Sequence, residues 1–182
     1  DPVLIWHSRP LAEIIRSINK YSNNVMTRQL LYTLGAEQSV GPGTRESGVD
    51  VIRNYLVERE LSPESLVMAN GAGLSRQTRI SAALLADVLY LAQDSPFGAE
   101  FMASMSIGGL DGTTRGRFNG PEEGRAHVKS GRLDDVVALA GYVHAGNGKT
   151  YIVTAMVNAP EAHRGPGGEL LDELISWVYA LP

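Results

Sequence analysis

Apolar residues in the first part of the chain recur at helical spacing. Leu11, Ile14, Ile15 and Ile18 follow the i, i+3, i+4, i+7 pattern that lines one face of an α-helix. Ser8 and Pro10 precede them as a helix start, proline being tolerated in a first turn. The pattern breaks at "KYSNN", residues 20–24. A second helix is expected from about Asn24 to Leu34, ended by Gly35 as a C′ residue. "SVGPGT" (39–44) reads as a loop, and a third helix follows with Val49, Ile52 and Leu56 on one face. The Gly- and Asn-rich stretch "MANGAGLSRQT" (68–78) reads as turns. Ser81 then caps a helix to about Ala92, with Leu84, Leu85, Val88 and Ala92 inward. "SIGGLDGTTRGRFNGPEEG" (106–124) carries six glycines and reads as irregular.

Beyond residue 124 the signal changes to strands. Ala126–Lys129 is a short strand; Val136–His144 and Thr150–Val157 are longer. "AGNGK" joins the last two, and its Asn147-Gly148 pair suits a type I′ turn, whose central residues both need positive φ. "RGPGGE" leads into a final helix with Leu170, Leu171, Leu174, Ile175 and Val178 inward. Helices followed by a three-stranded antiparallel sheet and a C-terminal helix make an α+β fold, not a βαβ array. No repeat, low-complexity tract or second-domain linker interrupts the 182 residues, enough for one domain with a real core.

Composition narrows the function only by exclusion. A formal net charge of −4 offers no basic field for nucleic acid. No apolar run is long enough to cross a membrane. The absence of cysteine removes disulfide and thiol chemistry. His7, His127, His144 and His163 are scattered without metal-ligand spacing, so no metal and no cofactor is expected. The chain begins with Asp1 and shows no signal peptide, as expected of a processed chain or a piece of a longer one.

Two short stretches carry chemistry. In "SNN", Ser22 and Asn24 lie between two helices, and on a tight turn both side chains can point into one cleft. A hydroxyl passes a proton, and an amide both donates to and accepts from a substrate. The competing reading is a helix cap. In "KSG", Lys129 supplies a point charge, Ser130 a hydroxyl for a carboxylate, and Gly131 room for another backbone. Its competing reading is an edge lysine before a turn. The residues alone leave both pairs of readings open.

The order is more specific than either piece. "SxN" between helices, then "K-[ST]-G" opening a strand pair, then a C-terminal helix, resembles the penicillin-binding-protein and serine β-lactamase superfamily. The blocks "SRPLAEIIRSINKYSNNVMTRQLLYTLG" (8–35), "NGAGLSR" (70–76), "GLDGTTRGRF" (109–118) and "AHVKSGRLDDVVALAGYV" (126–143) are similar to the C-terminal part of the D-alanyl-D-alanine carboxypeptidase/endopeptidase family. These are the class C, penicillin-binding-protein-4-like enzymes of peptidase family S13. The resemblance covers about residues 5–178. It implies a transpeptidase-like fold and serine acyl-enzyme hydrolysis of peptidoglycan stem peptides in the periplasm, with β-lactam antibiotics as inhibitors.

By the same resemblance, Ser22 and Lys129 are catalytic. Ser22 relays a proton to the leaving group, and Lys129 supports the electrostatics around it. Asn24 holds the peptide amide, Ser130 binds the terminal carboxylate, and the strand after Gly131 aligns the substrate by backbone contacts. Ser22 and Lys129 must therefore approach each other. From their glycine content, the blocks 70–76 and 111–113 are read as structural turns near the site.

The family's nucleophile lies in an S-x-x-K motif far upstream of SxN. It is expected to lie outside this chain, in a missing N-terminal half. "SINK" (Ser17–Lys20) matches the letters, but it falls at a helix end two residues before Ser22 and is not read as the nucleophile. The strand Thr150–Val157 is central in the superfamily, so its bare apolar edge is expected to pair with that N-terminal half, a local segment or a second copy. The rival readings are a non-catalytic interaction or scaffold domain of the same fold, and a β-lactamase or esterase of the same superfamily.

Overall fold

Helix α1 (Leu11–Tyr21) follows Pro10, and no side chain caps it, so Ser8 plays no capping part. These positions come from a computed structural model that describes residues 2–38 and 40–182; Asp1, and Ser39 of the expected 39–44 loop, lie outside the described residues. Helix α2 (Asn24–Gln38) runs through Gly35 instead of stopping there. Packing explains the difference. Helix α3 (Arg45–Glu58) crosses α2 so closely that a Cβ on Gly35 would sit 2.3 Å from Ser47 Oγ, and one on Gly48 would sit 2.2 Å from the Leu31 carbonyl. The glycine that reads locally as a stop signal is a point of contact between two helix backbones. Thr44 caps α3 through a capping box with Ser47.

Ser81 does cap α4 (Ala82–Gln93), accepting from the Leu84 N–H at 3.1 Å. Two sides of α4 are buried. Leu84 joins Leu56 and Leu66, with Ile52 and Val88 against them. Leu89 joins Met105 and Tyr142. A short helix absent from the periodicity, α5 (Gly98–Ser104), packs on α1. Helices α1, α3, α4 and α5 leave between them an apolar trough of about 590 Å³, lined by Leu11, Ile15, Ile52, Leu84, Val88 and Phe101 among others.

The sheet has four strands where three were expected, all antiparallel in the order β1-β2-β3-β4. The additional strand β1 (Ser106–Ile107) comes from the glycine-rich stretch and pairs with His127 and Val128. Strand β2 (Ala126–Leu133) continues past Lys129, because β3 (Val136–His144) offers it a partner all the way to the Asp134-Asp135 turn. β4 (Thr150–Asn158) completes the meander. The β3–β4 loop is not a type I′ turn. Only Gly148 has positive φ (82°), and a bond from Gly148 N–H to the Ala145 carbonyl (3.0 Å) closes a four-residue β-turn that ends in this left-handed glycine.

Pleating divides the sheet's side chains between two layers. Val128, Leu139, Val143 and Val153 face helix α6 (Pro166–Tyr179), which supplies Leu171, Ile175 and Val178. Leu170 points outward at 59% exposure, since Leu171 and Ile175 already define the buried stripe. Ala140, Tyr142 and Ile152 face α4 and α5. Tyr142 donates its hydroxyl to the Leu89 carbonyl at 2.6 Å, and burial pushes its pKa up to about 12. β4 ends the sheet, and among the described residues no strand lies along its outer edge.

Gly141 marks the tightest point of the β2–β3 pairing. Its φ is 155°, and a Cβ there would stand 2.1 Å from the His127 carbonyl. Gly141→Ala is expected to cost about 2 kcal/mol or more, from strain and overpacking together. Gly131→Ala, with only Ala138 Cβ at 3.6 Å, should cost far less. Chemical denaturation of the two variants checks the contrast; equal losses would refute it.

Candidate active site

Helices α1 and α2 are separated by Ser22 and Asn23 alone. Ser22 ends α1 in the left-handed region (φ 55°), its N–H returning to the Ile18 carbonyl. A non-glycine residue held there costs about 1–2 kcal/mol, a strain that the surrounding helix ends must over-determine. The capping reading of "SNN" applies to the middle residue only. Asn23 Oδ1 accepts from the Met26 N–H at 3.0 Å and starts α2. Ser22 and Asn24 are thereby left free of capping. Asn24 is the first residue of α2, and among the described residues its amide has no hydrogen-bond partner.

Lys129 stands on β2 opposite Ala140, on the face toward the helices. Its Nζ donates to Ser22 Oγ at 2.9 Å, across 107 residues of sequence, and to the Ser130 carbonyl at 2.7 Å. Among the described residues no carboxylate pairs with it. Burial alone holds its pKa below the ordinary lysine value. Ser130 Oγ lies 2.9 Å from Thr113 Oγ1. Thr113 sits in a one-turn 3-10 helix (Gly112–Thr114), and its N–H donates to Ser106 Oγ on β1 at 3.1 Å. β1 covers β2 only as far as Val128. From Lys129 to Leu133 no strand among the described residues lies beside the outer edge of β2. Gly131 lies on this edge and is exposed, a Cβ there meeting only Ala138 Cβ at 3.6 Å.

The structure thus brings Ser22, Lys129 and Ser130 to one place, with Asn24 two residues along from Ser22 and Gly131 next on the edge. Sequence reasoning missed Thr113, Lys20 and Asp111. Lys20 is buried at the end of α1, 4% exposed in its side chain, with Nζ 2.5 Å from Asp111 Oδ2. Asp111 Oδ1 accepts from the Ile107 N–H at 2.7 Å. Burial works to raise the Asp111 pKa, but the bonds from Lys20 and Ile107 and the Lys20 charge hold it below the usual carboxylate value. Apolar period gave no signal for it: Lys20 lies on the opposite side of α1 from Leu11, Ile14, Ile15 and Ile18, and is buried only because Asp111 reaches it there. The 70–76 turn is closed by Asn70, which donates to the Leu74 carbonyl at 2.9 Å. Arg76 reaches from it to Asp134 and Asp135 at the far end of β2, through exposed ion pairs that contribute little stability.

Residues 1–174 match the D-Ala-D-Ala carboxypeptidase 3 (S13) family profile. The chain belongs to this family. A D-alanyl-D-alanine carboxypeptidase of Actinomadura sp. (strain R39) is 30% identical over 175 residues, covering 93% of this chain and 32% of that protein. The D-alanyl-D-alanine carboxypeptidase DacB of Haemophilus influenzae is 23% identical over 154 residues, 83% of this chain and 32% of its own. The chain therefore spans about a third of the length of these curated relatives. Among solved structures, penicillin binding protein 4 of Haemophilus influenzae superposes with a TM-score of 0.88 at 22% identity, over 96% of this chain and 41% of that one. A predatory peptidoglycan endopeptidase from Bdellovibrio bacteriovorus superposes at 0.75 and 20% identity, over 94% and 43%. The fold is that of the S13 enzymes and their transpeptidase-like neighbours, with one more strand than the sequence pattern suggested.

The Lys129 environment makes a pH prediction. Its folded pKa lies below the unfolded value of 10.5, so the unfolded chain binds more protons between the two. Stability should rise with pH across that window and level off above it. Lys129→Met should flatten the rise. Urea denaturation between pH 8 and 11 on both proteins reads it directly; identical slopes would exclude a depressed lysine.

Proposed function

We propose that this chain is the C-terminal portion of a serine-type D-Ala-D-Ala carboxypeptidase/endopeptidase, acting on peptidoglycan stem peptides in the periplasm. The acylated serine and its lysine base belong to an S-x-x-K segment outside these residues. The observation that carries the reading is the 2.9 Å contact between Lys129 Nζ and Ser22 Oγ, beside the open edge of β2.

The chemistry follows from who donates to whom. Lys129 donates to Ser22, so the Ser22 hydroxyl hydrogen is free to go to a leaving amine. A depressed lysine pKa lowers the cost of replacing that proton. The paired hydroxyls of Ser130 and Thr113 offer donors to the terminal carboxylate of the substrate. The β2 edge from Lys129 to Leu133 offers backbone groups to an extended peptide, with Gly131 keeping that approach clear. Asn24, its amide unengaged, holds the peptide bond preceding the scissile one.

Within the chain, Ser17–Lys20 does not supply the nucleophile and base. The Lys20 ammonium is buried against Asp111 and cannot serve as a free base. The apolar trough between the helices is chemically unlike a site for a carboxylate-bearing peptide. The remaining part of the parent protein is also the proposed partner of the β4 edge, with self-association of the isolated chain as the alternative.

The full-length parent is expected to form a covalent adduct with benzylpenicillin and to release D-alanine from a peptide ending in D-Ala-D-Ala. Ser22→Ala and Lys129→Ala should each lower both rates by roughly 100-fold or more. Residues 1–182 alone should do neither. Intact-protein mass spectrometry and a D-alanine assay decide the matter. No adduct on the parent would favour a scaffold, and rapid turnover of penicillin with no peptide cleavage would favour a β-lactamase.

A further inference from the structure

We propose that Lys20 and Asp111 form a positioning clasp that sets the spacing between the Ser22 hydroxyl and the Ser130–Thr113 hydroxyl pair. The function of the clasp, though not its geometry, rests on the reading of the site given above. Lys20 lies two residues before Ser22, in the last turn of α1. Asp111 lies two residues before Thr113. Their 2.5 Å contact joins the two segments behind the site. The other Asp111 oxygen accepts from Ile107 on β1. Ser106, next to Ile107, accepts from Thr113 N–H and stands opposite Val128, the residue before Lys129. One carboxylate therefore spans the end of α1, the short strand β1 and the turn that carries Thr113.

The backbones leave no slack around it. Gly112 has φ 59°, and a Cβ there would stand 2.9 Å from the Lys20 carbonyl and 2.2 Å from Ser106 Oγ. The 3-10 turn thus abuts the end of α1. A pair of apolar side chains would fill such a space as well, and buried ion pairs are often no more stabilising than apolar replacements. What the charged pair adds is direction: an ammonium and a carboxylate in a fixed hydrogen-bond geometry hold a distance that packing alone leaves loose. Around an acyl-transfer centre that distance matters, because a displacement of about 1 Å costs roughly 100-fold in rate. Lys20 and Asp111 touch no substrate in this scheme and act only through Ser22 and Thr113.

The test uses the full-length protein carrying Asp111→Asn, Lys20→Met, or the double change Lys20→Met/Asp111→Leu, which removes both charges and leaves no bare buried ion. Three readouts are taken: melting temperature, kcat and KM for release of D-alanine from a D-Ala-D-Ala peptide, and the titration of Lys129 followed by 13C-labelled lysine side chains. The double variant is expected to melt near the parent, to lose about 10- to 100-fold in kcat, and to show a shifted Lys129 titration as the Ser22 contact loosens. Recovery of parental kcat together with melting temperature, or an unmoved Lys129 titration, would overturn the clasp. If the double variant does not fold, Lys20→Arg and Asp111→Glu decide: they keep the charges but change the reach. Lower kcat at parental stability supports the clasp, and unchanged kcat removes it. If the parent has no hydrolytic activity, the proposed function fails, and the Lys129 titration alone still decides the clasp in the same direction.

Discussion

A sheet buried on both faces is the constraint on which this fold depends. β3 shows it most clearly. Its Leu139 and Val143 are buried against α6, and its Tyr142 is buried against α4 and α5. Alternating side chains on a pleated strand cannot slip by one residue without exchanging the two sets, so the register is strongly specified. Tyr142 adds a directional tie, since its hydroxyl, deep among apolar groups, must find an acceptor and takes the Leu89 carbonyl. The close approach at Gly141 draws β2 against β3 just before Lys129.

That register decides where Lys129 goes. Its place opposite Ala140 puts it on the helical side of the sheet, at the seam where the end of α1 arrives. A lysine on the other face would meet the α6 core. The seam gathers polar groups from the α1–α2 turn, β1, the 3-10 turn and β2, none of which forms a site alone. It also places the ammonium in a partly desolvated position, with the Ser22 hydroxyl and the Ser130 carbonyl as acceptors. Such an amine is more easily deprotonated than a surface lysine, and that poise is useful in a proton relay.

Local patterning made much of this legible. The helices α1, α3, α4 and α6 and the strands β3 and β4 announce themselves by apolar period, and Ser81 by its capping chemistry. The site was legible as two motifs, Ser22-Asn23-Asn24 and Lys129-Ser130-Gly131, whose order resembles a known family more than either motif does alone. What failed did so for nameable reasons. Gly35 carries the signature of a helix end but serves a helix crossing. Asn147-Gly148 matches a turn type that the five-residue loop did not adopt. β1 is two residues long, too short to show any period, and α5 has barely two turns.

By itself the sequence determined the α+β class, the main elements, and the residue types available for proton transfer and carboxylate binding. These follow from interactions within a few residues, where spacing and propensity act directly. The tertiary structure alone decided that Ser22 meets Lys129, that Thr113 meets Ser130, and that Lys20 is buried against Asp111 and is not a free base. Those contacts join residues up to 107 positions apart. No local pattern encodes them, because they arise only when a two-faced sheet fixes where each loop around it must end.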